Sequence, residues 1–238
     1  EDMEKSRFLH FSLLSLLLII QLTPISVKAW AWETDGLVSA PYTTGTSLVS
    51  APLMADLDGD GLPETLAREQ EQVRIISRGE VTWLSQPSWD VIQSDFTDLN
   101  HDDIPEVTLL VWRPFKPWPV DEFLPYGGRI ENHQDQEGNS CHLILIGWIR
   151  DRYGELWAGS ALANPVTTFR AADLDGDSLQ ELITLEGEYS HSRSTFPGLM
   201  NVWEWNGFGF TIVFNQEGFF HDLAIGKTEN DRLLVLTP

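Results

Sequence analysis

The sequence predicts an all-β domain assembled from repeats of four short strands. The first observation behind this prediction is a nine-residue acidic motif that occurs three times. The second is that short runs of aliphatic, β-branched and aromatic residues, bounded by Gly, Pro, Asn and Asp, follow each motif. The third is composition: 42% of the 238 residues are hydrophobic, with 12 Phe and 10 Trp, which is enough apolar surface for one sizeable core.

The charge balance excludes one class of partner. The chain has 36 acidic and 15 basic residues, for a formal net charge of -21. A nucleic acid would be repelled by this charge, so we expect cations rather than polyanions as ligands. The single cysteine, Cys141, excludes an internal disulfide and a cysteine zinc cluster.

Residues 1–29 predict a signal peptide or an uncleaved membrane anchor. Lys5 and Arg7 precede the largely apolar run 8–22, which is short for a membrane span but typical of a signal peptide. If the segment is retained, it is predicted to be an N-terminal hydrophobic helix that attaches the protein to a membrane. In either case the positive flank predicts that residues 30–238 lie outside the cytoplasm, in a periplasmic, lumenal or cell-surface location.

The three acidic motifs share a pattern of oxygen ligands. Oxygen-bearing side chains occupy positions 1, 3, 5 and 9, and an apolar residue at position 7 offers its backbone carbonyl. Calcium takes about six to eight oxygen ligands, whereas unneutralised carboxylates at this spacing would repel one another. Up to three Ca²⁺ ions are therefore predicted. The predicted ligands are Asp56, Asp58, Asp60, Leu62, Glu64, Asp98, Asn100, Asp102, Ile104, Glu106, Asp173, Asp175, Asp177, Leu179 and Glu181.

Two other kinds of loop share part of this motif. An EF-hand needs a bidentate Glu at position 12 between two helices, but position 12 is Ala67, Leu109 or Thr184 and the flanking residues are strand-like. The EF-hand and the related dockerin are therefore excluded. An ordinary Asp/Gly turn stays open as an alternative, most of all for the second motif, where Asn100 and His101 replace the Asp and Gly of the others.

The motifs resemble the FG-GAP or VCBS repeats of integrin-α-like β-propellers, whose blades carry an Asp-x-Asp/Asn-x-Asp-x-x-x-Asp/Glu loop between their first two strands. The resemblance covers the three loops and their flanking strands. The tripeptides that name the family are kept only in part, as Ser50-Ala51-Pro52 and Phe208-Gly209. The resemblance implies calcium in a structural role, held by the fifteen predicted ligands, and it implies no particular partner.

The spacing of the motifs predicts a small β-propeller of four blades. Asp56 and Asp98 lie 42 residues apart, which is the length of one blade, but Asp98 and Asp173 lie 75 apart. The longer interval indicates an inserted loop within the second blade, at 113–140. A smaller insertion is expected at 190–198, in the third blade.

The predicted strands assign each blade and close the ring. They are 48–55, 64–68, 73–77 and 81–84 in blade one, 91–96, 107–112, 143–149 and 156–160 in blade two, and 167–172, 182–185, 202–205 and 210–214 in blade three. Segments 223–225 and 233–236 would join 30–33 and 36–39 from the other end of the chain to complete blade four, whose loop 227–231 is too poor in carboxylates for calcium. Closure would remove exposed strand edges. A five-bladed ring and an open fragment are the alternatives.

The inserted loop leads to the functional prediction. Residues 113–126 combine Pro with Phe, Trp and Tyr, a composition suited to a rigid protein-binding surface, although the loop could instead cover its own blade. The predicted function is an extracytoplasmic adhesion or scaffold module that binds a protein. It would be secreted or tethered, and in the tethered form it would be an accessory subunit of a larger membrane assembly.

No catalytic residue is assigned from the sequence. It contains no Gly-x-Ser-x-Gly elbow, no His-Glu-x-x-His motif and no phosphate loop. The string 190–193, Ser-His-Ser-Arg, is not a triad signature, because triad members converge from separate elements. The alternative function is a propeller hydrolase or lyase that acts on polysaccharide through carboxylates from distant parts of the chain.

Overall fold

A computed structural model describes residues 26–117 and 132–237. These residues form strands in four antiparallel sheets, arranged as the four blades of a β-propeller, so the predicted all-β class and blade number are confirmed. The predicted N-terminal hydrophobic helix falls outside the described residues. Across 26–117 and 132–237, no helix has the length and apolar character needed to cross a bilayer.

The strands of the described residues follow one another along the chain with short connections. In chain order they are β1 (Lys28–Glu33), β2 (Gly36–Ala40), β3 (Ser47–Val49), β4 (Met54–Ala55), β5 (Glu64–Glu69), β6 (Gln72–Ser77), β7 (Glu80–Leu84), β8 (Asp90–Thr97), β9 (Glu106–Pro114), β10 (Asn139–Ile149), β11 (Arg152–Ala158), β12 (Val166–Ala172), β13 (Glu181–Glu186), β14 (Leu199–Trp205), β15 (Phe210–Glu217), β16 (Ala224–Lys227) and β17 (Leu233–Thr237).

Each of the first three blades consists of four consecutive strands, namely β4–β7, β8–β11 and β12–β15. Strand β12 contacts β8 and β16 of the neighbouring blades, which places the first strands of the blades around the centre of the ring. All six residues of β13 and the first seven of β9 are buried, because a blade is covered on both faces by its neighbours. Burial in these strands is therefore continuous rather than alternating, and it includes the polar residues Thr108, Thr184 and Glu186.

The fourth blade joins the two ends of the described chain. Strand β1 pairs with β17, with Lys28 opposite Thr237 and Trp30 opposite Val235. The Trp30 indole also donates a hydrogen bond of 3.1 Å to the Thr237 hydroxyl. The predicted closure of the ring is thus confirmed, and β1 begins at Lys28, inside the segment 1–29 that was predicted to be a signal peptide or anchor.

The predicted inner strand of blade one, 48–55, differs from the structure. Strand β3 pairs with β16 and becomes a fifth strand of blade four, while only Met54–Ala55 pair with β5. Pro52 lies between the two pieces and has no N–H to donate to a ladder. The chain therefore leaves one blade and enters the next within what was expected to be a single strand.

The two ends of the ring carry different loops. Since strands alternate in direction within a blade, the acidic loops (β4 to β5, β8 to β9 and β12 to β13) lie at one end. The insertions between β9 and β10 and between β13 and β14 lie at the other end, with the connections between blades. The first insertion is shorter than predicted, because β9 continues to Pro114 and β10 begins at Asn139. Its segment 118–131, which includes much of the predicted binding surface 113–126, lies outside the described residues.

Candidate metal-binding loops

The leucine at position 2 anchors each acidic loop in the core. Leu57, Leu99 and Leu174 are 0%, 0% and 9% exposed. Each one packs among residues of its own blade and the following blade: Leu57 between blades one and two, Leu99 between two and three, and Leu174 between three and four. Each loop is therefore tied to an interface between blades.

The glutamate at position 9 is buried in all three loops and closes the loop onto its second residue. Glu64, Glu106 and Glu181 are 0%, 0% and 3% exposed. Their carboxylates accept the backbone N–H of the position-2 leucine, at 2.8 Å for Leu57, 2.9 Å for Leu99 and 2.7 Å for Leu174. This shared hydrogen bond explains why position 9 carries Glu, whose side chain reaches back across the loop.

The first loop brings three carboxylates together. Ligand oxygens of Asp56, Asp58 and Glu64 all lie within 4.8 Å of one another. The Asp56 carboxylate accepts the N–H groups of Gly59 and Gly61, both at 2.8 Å. Both glycines have positive φ, 74° and 85°, a conformation that Gly adopts without steric cost. The backbone of the loop is thus wrapped around its first aspartate, and the side chains of positions 3 and 9 face the same centre.

The third loop repeats this arrangement. Oxygens of Asp173, Asp175 and Glu181 lie within 4.8 Å of one another. The Asp173 carboxylate accepts the N–H of Gly176 at 2.7 Å and that of Ser178 at 3.0 Å. Two loops from different blades therefore each bring together three carboxylates that could hold a metal ion.

The aspartate at position 5 lies outside both groups. Asp60 accepts the Leu62 N–H at 2.8 Å, and Asp177 accepts the Leu179 N–H at 2.8 Å. Asp60 also forms an ion pair with Arg78, which comes from the turn between β6 and β7. The Leu62 N–H is the main cause that lowers the pKa of Asp60, with a further contribution from Arg78.

The second loop does not gather three carboxylates. Asn100 occupies position 3, and its amide donates to Asp102 at 2.9 Å. Asp98 accepts the N–H of position 5, Asp102, at 3.2 Å, where the first and third loops use the N–H groups of positions 4 and 6. Hydrogen bonds thus join Asp98, Asn100 and Asp102, three of the predicted ligands of this loop. They hold the ligand oxygens in a less complete arrangement than in the first and third loops.

Two of the buried glutamates have a carboxylate oxygen without a hydrogen-bond partner. These oxygens are Oε1 of Glu64 and Oε2 of Glu106. Burial raises the pKa of Glu106 to about 7, and the charges of Asp98 and Asp102 contribute to the rise. A buried, unpaired carboxylate oxygen is costly, and a cation held by the loop would supply the missing partner. The donor set is made of oxygens alone, which fits a hard cation.

Two residues outside the motifs, Tyr153 and Arg78, also lie beside the first loop, and the sequence analysis did not identify them. The Tyr153 hydroxyl, on β11 of blade two, is buried next to the Glu64 carboxylate, close enough to interact with it, although neither it nor Oε1 of Glu64 makes a hydrogen bond of standard geometry. Burial raises the pKa of Tyr153, and the nearby Glu64 and Asp58 raise it further. Tyr153 and Arg78 lie far from the first motif along the chain, and only the fold brings them to it.

The fourth blade has a different connection at the same place. Between β16 and β17, the Thr228 N–H donates to the Arg232 carbonyl at 2.9 Å. The Lys227 ammonium pairs with Asp231 at 2.9 Å. A side-chain cation therefore pairs with Asp231, one of the two carboxylates of this loop.

The Ser-His-Ser-Arg string lies in the loop between β13 and β14, at the opposite end of the ring. Its serine hydroxyls bond within the loop, Ser190 to Glu188 at 3.1 Å and Ser192 to Ser194 at 2.9 Å. Within this string neither serine is hydrogen bonded to His191. Its arginine, Arg193, forms an ion pair with Asp90 at the start of β8 and so connects this loop to blade two.

No protein-family model matches the chain, and no curated protein is significantly similar to it. The likeness to FG-GAP and VCBS repeats therefore depends on the loop motif and on the four-bladed arrangement.

Proposed function

We propose that the three acidic loops bind calcium, and that the ions stabilise an extracytoplasmic propeller of the FG-GAP or VCBS type whose role is to bind a protein partner. The observation that carries the calcium proposal is the buried glutamate at position 9. Glu64 and Glu106 are fully buried and each keeps one carboxylate oxygen without a partner, inside a loop that presents further oxygens to the same region.

Calcium suits these loops better than other common divalent ions. The predicted ligands are carboxylates, one amide and backbone carbonyls, without the His or Cys that zinc favours. Magnesium demands a near-ideal octahedron and keeps several waters. A loop that offers up to five protein oxygens is a better match for calcium.

Ions in these loops would act on the ring as well as on the loops. The position-2 leucines lie in the interfaces between consecutive blades. An ion that holds the oxygens on both sides of such a leucine would therefore also hold the interface. This is the physical basis for a stabilising rather than a catalytic role.

A rigid base for the inserted loop supports the partner-binding proposal. Arg193 stacks over the Trp112 ring at 3.9 Å and pairs with Asp135 at 2.6 Å and Asp90 at 3.3 Å. The Asp135 carboxylate in turn accepts the Asn139 N–H at 2.8 Å. The end of the insertion is thus fastened to blades two and three, so that its Pro-rich and aromatic part can be presented from a fixed point.

Calcium removal tests the stabilising role. Thermal melting of the full chain should be measured in a chelator and then with free calcium at 100 times Kd, where each filled site adds about 2.7 kcal/mol to the free energy of unfolding. For a chain of this size that corresponds to a rise of the melting temperature by roughly 5 °C or more per site. Asp175→Ala should lose at least one site's share, whereas Asp35→Ala, a matched change outside the loops, should behave as the wild type. An unchanged melting temperature would refute the proposal.

Partner capture tests the binding role. The full chain and the double variant Phe115→Ala/Trp118→Ala should be compared in capture from native membranes. We expect a protein that the wild type retains and the double variant loses. Phe208→Ala removes an exposed aromatic side chain at the other end of the ring and serves as the control. Equal capture by all three proteins would show that the insertion is not the binding surface.

A further inference from the structure

Two departures from the acidic repeat are found in neighbouring loops. Position 4 is glycine in the first and third loops, Gly59 and Gly176, but His101 in the second. Position 8 is proline in the first and second loops, Pro63 and Pro105, but Gln180 in the third. Each departure places a side chain with hydrogen-bonding groups where the repeat otherwise has none.

These two residues contact each other across the boundary between blades two and three. The Asp98 N–H donates to the Gln180 side-chain oxygen at 2.9 Å. Nε2 of His101 lies 3.0 Å from the Gln180 carbonyl oxygen and donates to it when it carries the proton. Asp98 is the first ligand of the second loop, and Gln180 lies between Leu179 and Glu181, two ligands of the third. The contact therefore links the ligand sets directly.

The contact with Gln180 should matter more to the second loop than a similar contact would matter to the first or the third loop. His101 and Asp103 adopt positive φ, 60° and 64°, where the first loop has glycines. Left-handed backbone is disfavoured for residues that carry a Cβ. Asn100 also brings no charge to the site. The second loop thus has three carboxylates among its predicted ligands where the others have four, and two left-handed residues with a Cβ where the third loop has one, Ser178, and the first has none. It is also the loop held by a neighbour.

We infer that the second and third loops bind calcium as a coupled pair, in which an ion in the third loop prepares the second. This inference rests on the proposed calcium function. An ion bound by the Leu179 carbonyl and Glu181 fixes the backbone on both sides of Gln180. Gln180 then holds Asp98 and His101 in place, so less ordering entropy is lost when the second ion binds. By linkage, an ion in the second loop strengthens binding to the third by the same factor.

Repulsion between the two ions works against this coupling. Each ion is largely neutralised by the carboxylates of its own loop, and salt screens what is left. The ordering effect is therefore expected to prevail. Within the described residues, the hydrogen bonds of the first loop connect it to none of the other acidic loops, so it should bind independently.

Calorimetric calcium titration of the full chain tests the coupling. Asp175→Ala should abolish the third site and weaken the second about tenfold, a typical allosteric coupling, while the first is unchanged. Gln180→Ala should keep three sites but weaken the second by a similar factor. In the Asp175→Ala background, Gln180→Ala should have no further effect on the affinity of the second site, because the ion that acts through Gln180 is already absent from the third loop. The amide NMR signal of Asp98 reports the filling of that site.

A control variant and a substitute variant make the outcome decisive. Gln86→Ala removes an exposed glutamine at the opposite end of the ring and should leave all sites unchanged. If Gln180→Ala does not fold, Gln180→Asn keeps the amide but is too short to reach Asp98. Full calcium binding with independent or mutually weakening sites would overturn the coupling and leave the proposed function intact. Absence of binding in every variant would overturn both.

Discussion

At the scale of single residues, the chemistry of the acidic loops depends on groups that no motif contains. Arg78 pairs with Asp60 in the first loop, and the third loop has no equivalent ion pair among the described residues. The two loops have the same pattern of carboxylates in the sequence. Their affinities should nevertheless differ, because one predicted ligand already has a cation beside it.

Replacing Arg78 tests this difference. Arg78→Gln removes a positive charge next to the first site and frees an oxygen of Asp60, so we expect roughly five- to tenfold tighter calcium binding there. The third site should not change. Titration in the Asp175→Ala background isolates the first site from the third. Weaker binding by Arg78→Gln would mean that the arginine positions Asp60 for the ion instead of competing with it.

His142, which lies outside the acidic loops, contributes a pH dependence of its own to the stability of the protein. Burial lowers the pKa of His142 to about 4, and the positive charge of Arg113 acts in the same direction. With the proton on Nδ1, the neutral ring donates to the Gly159 carbonyl at 3.0 Å and accepts from the Ser140 hydroxyl at Nε2 at 2.7 Å. The Arg113 guanidinium, which can only donate, lies 3.2 Å from the same Nδ1 and would be repelled further by a protonated ring. The His142 imidazole of the folded protein therefore stays neutral at a pH where the same side chain of the unfolded chain accepts a proton.

The expected contribution of His142 is a loss of stability in acid, whereas Glu106 and Glu181, whose pKa values burial raises to about 7, act in the opposite direction in the calcium-free protein. The folded pKa lies below the unfolded value of about 6.5, so the contribution of His142 is complete above pH 6.5 and is lost as the pH falls towards 4. Between pH 7.5 and pH 5 the loss is about 2 kcal/mol. Urea unfolding of the wild type and of His142→Gln in the same calcium-free buffer isolates the histidine: the free energy of unfolding of the wild type minus that of the variant should fall by about 2 kcal/mol from pH 7.5 to pH 5. An unchanged difference would refute this assignment.

At the scale of elements, Gln93 joins the inner strands of two blades. Its side chain donates to the Phe169 carbonyl at 2.8 Å, and its oxygen accepts the Thr168 hydroxyl at 3.0 Å and the Phe169 N–H at 3.2 Å. A side-chain amide on β8 thus hydrogen bonds to the backbone of β12 much as a neighbouring strand would. Blades two and three are linked at the centre of the ring by these bonds.

Removing this link should destabilise the ring. Gln93→Ala leaves the Phe169 N–H and the Thr168 hydroxyl without their partner, whereas the Phe169 carbonyl keeps its hydrogen bond from Arg170. At about 1 kcal/mol for each unpaired group, the expected loss is about 2 kcal/mol. Chemical denaturation measures the change, with Gln86→Ala as the matched control. A loss below about 0.5 kcal/mol would indicate that water replaces the amide at this position.

At the scale of the whole molecule, net charge and calcium should act together. The formal charge of -21 makes the compact state repel itself, and much of the acidity lies in the loops at one end of the ring. Screening by salt should therefore stabilise the calcium-free protein more than the calcium-loaded one.

A comparison of two salt concentrations tests this expectation. We expect the melting temperature of the calcium-free protein to rise by several degrees between low salt and about 0.5 M NaCl, where the Debye length falls to a few Å. The calcium-loaded protein should show a smaller rise or a decrease, since salt also weakens ion binding. Equal shifts in the two forms would show that the loops are not the main source of the repulsion.

The sequence by itself determined the all-β class, the blade number and the joining of both ends of the chain into one blade. These features depend on local patterns, namely strand periodicity, turn residues and a repeated motif, and such patterns can be recognised in the sequence alone. It also located the acidic loops at the right connections. It did not show that 47–49 leaves blade one, because a three-residue strand carries no local signal of which neighbour it will pair with.

Only the tertiary structure decided how alike the three loops are. It gathered three carboxylates in the first and third loops but not in the second. It brought Arg78 to the first loop, and it placed Gln180 against Asp98 and His101. Such contacts join residues from different strands and blades, and the energy of a buried carboxylate depends on what surrounds it in space. A motif specifies the ligands of a metal site, whereas the fold determines what competes for them and what holds them in place.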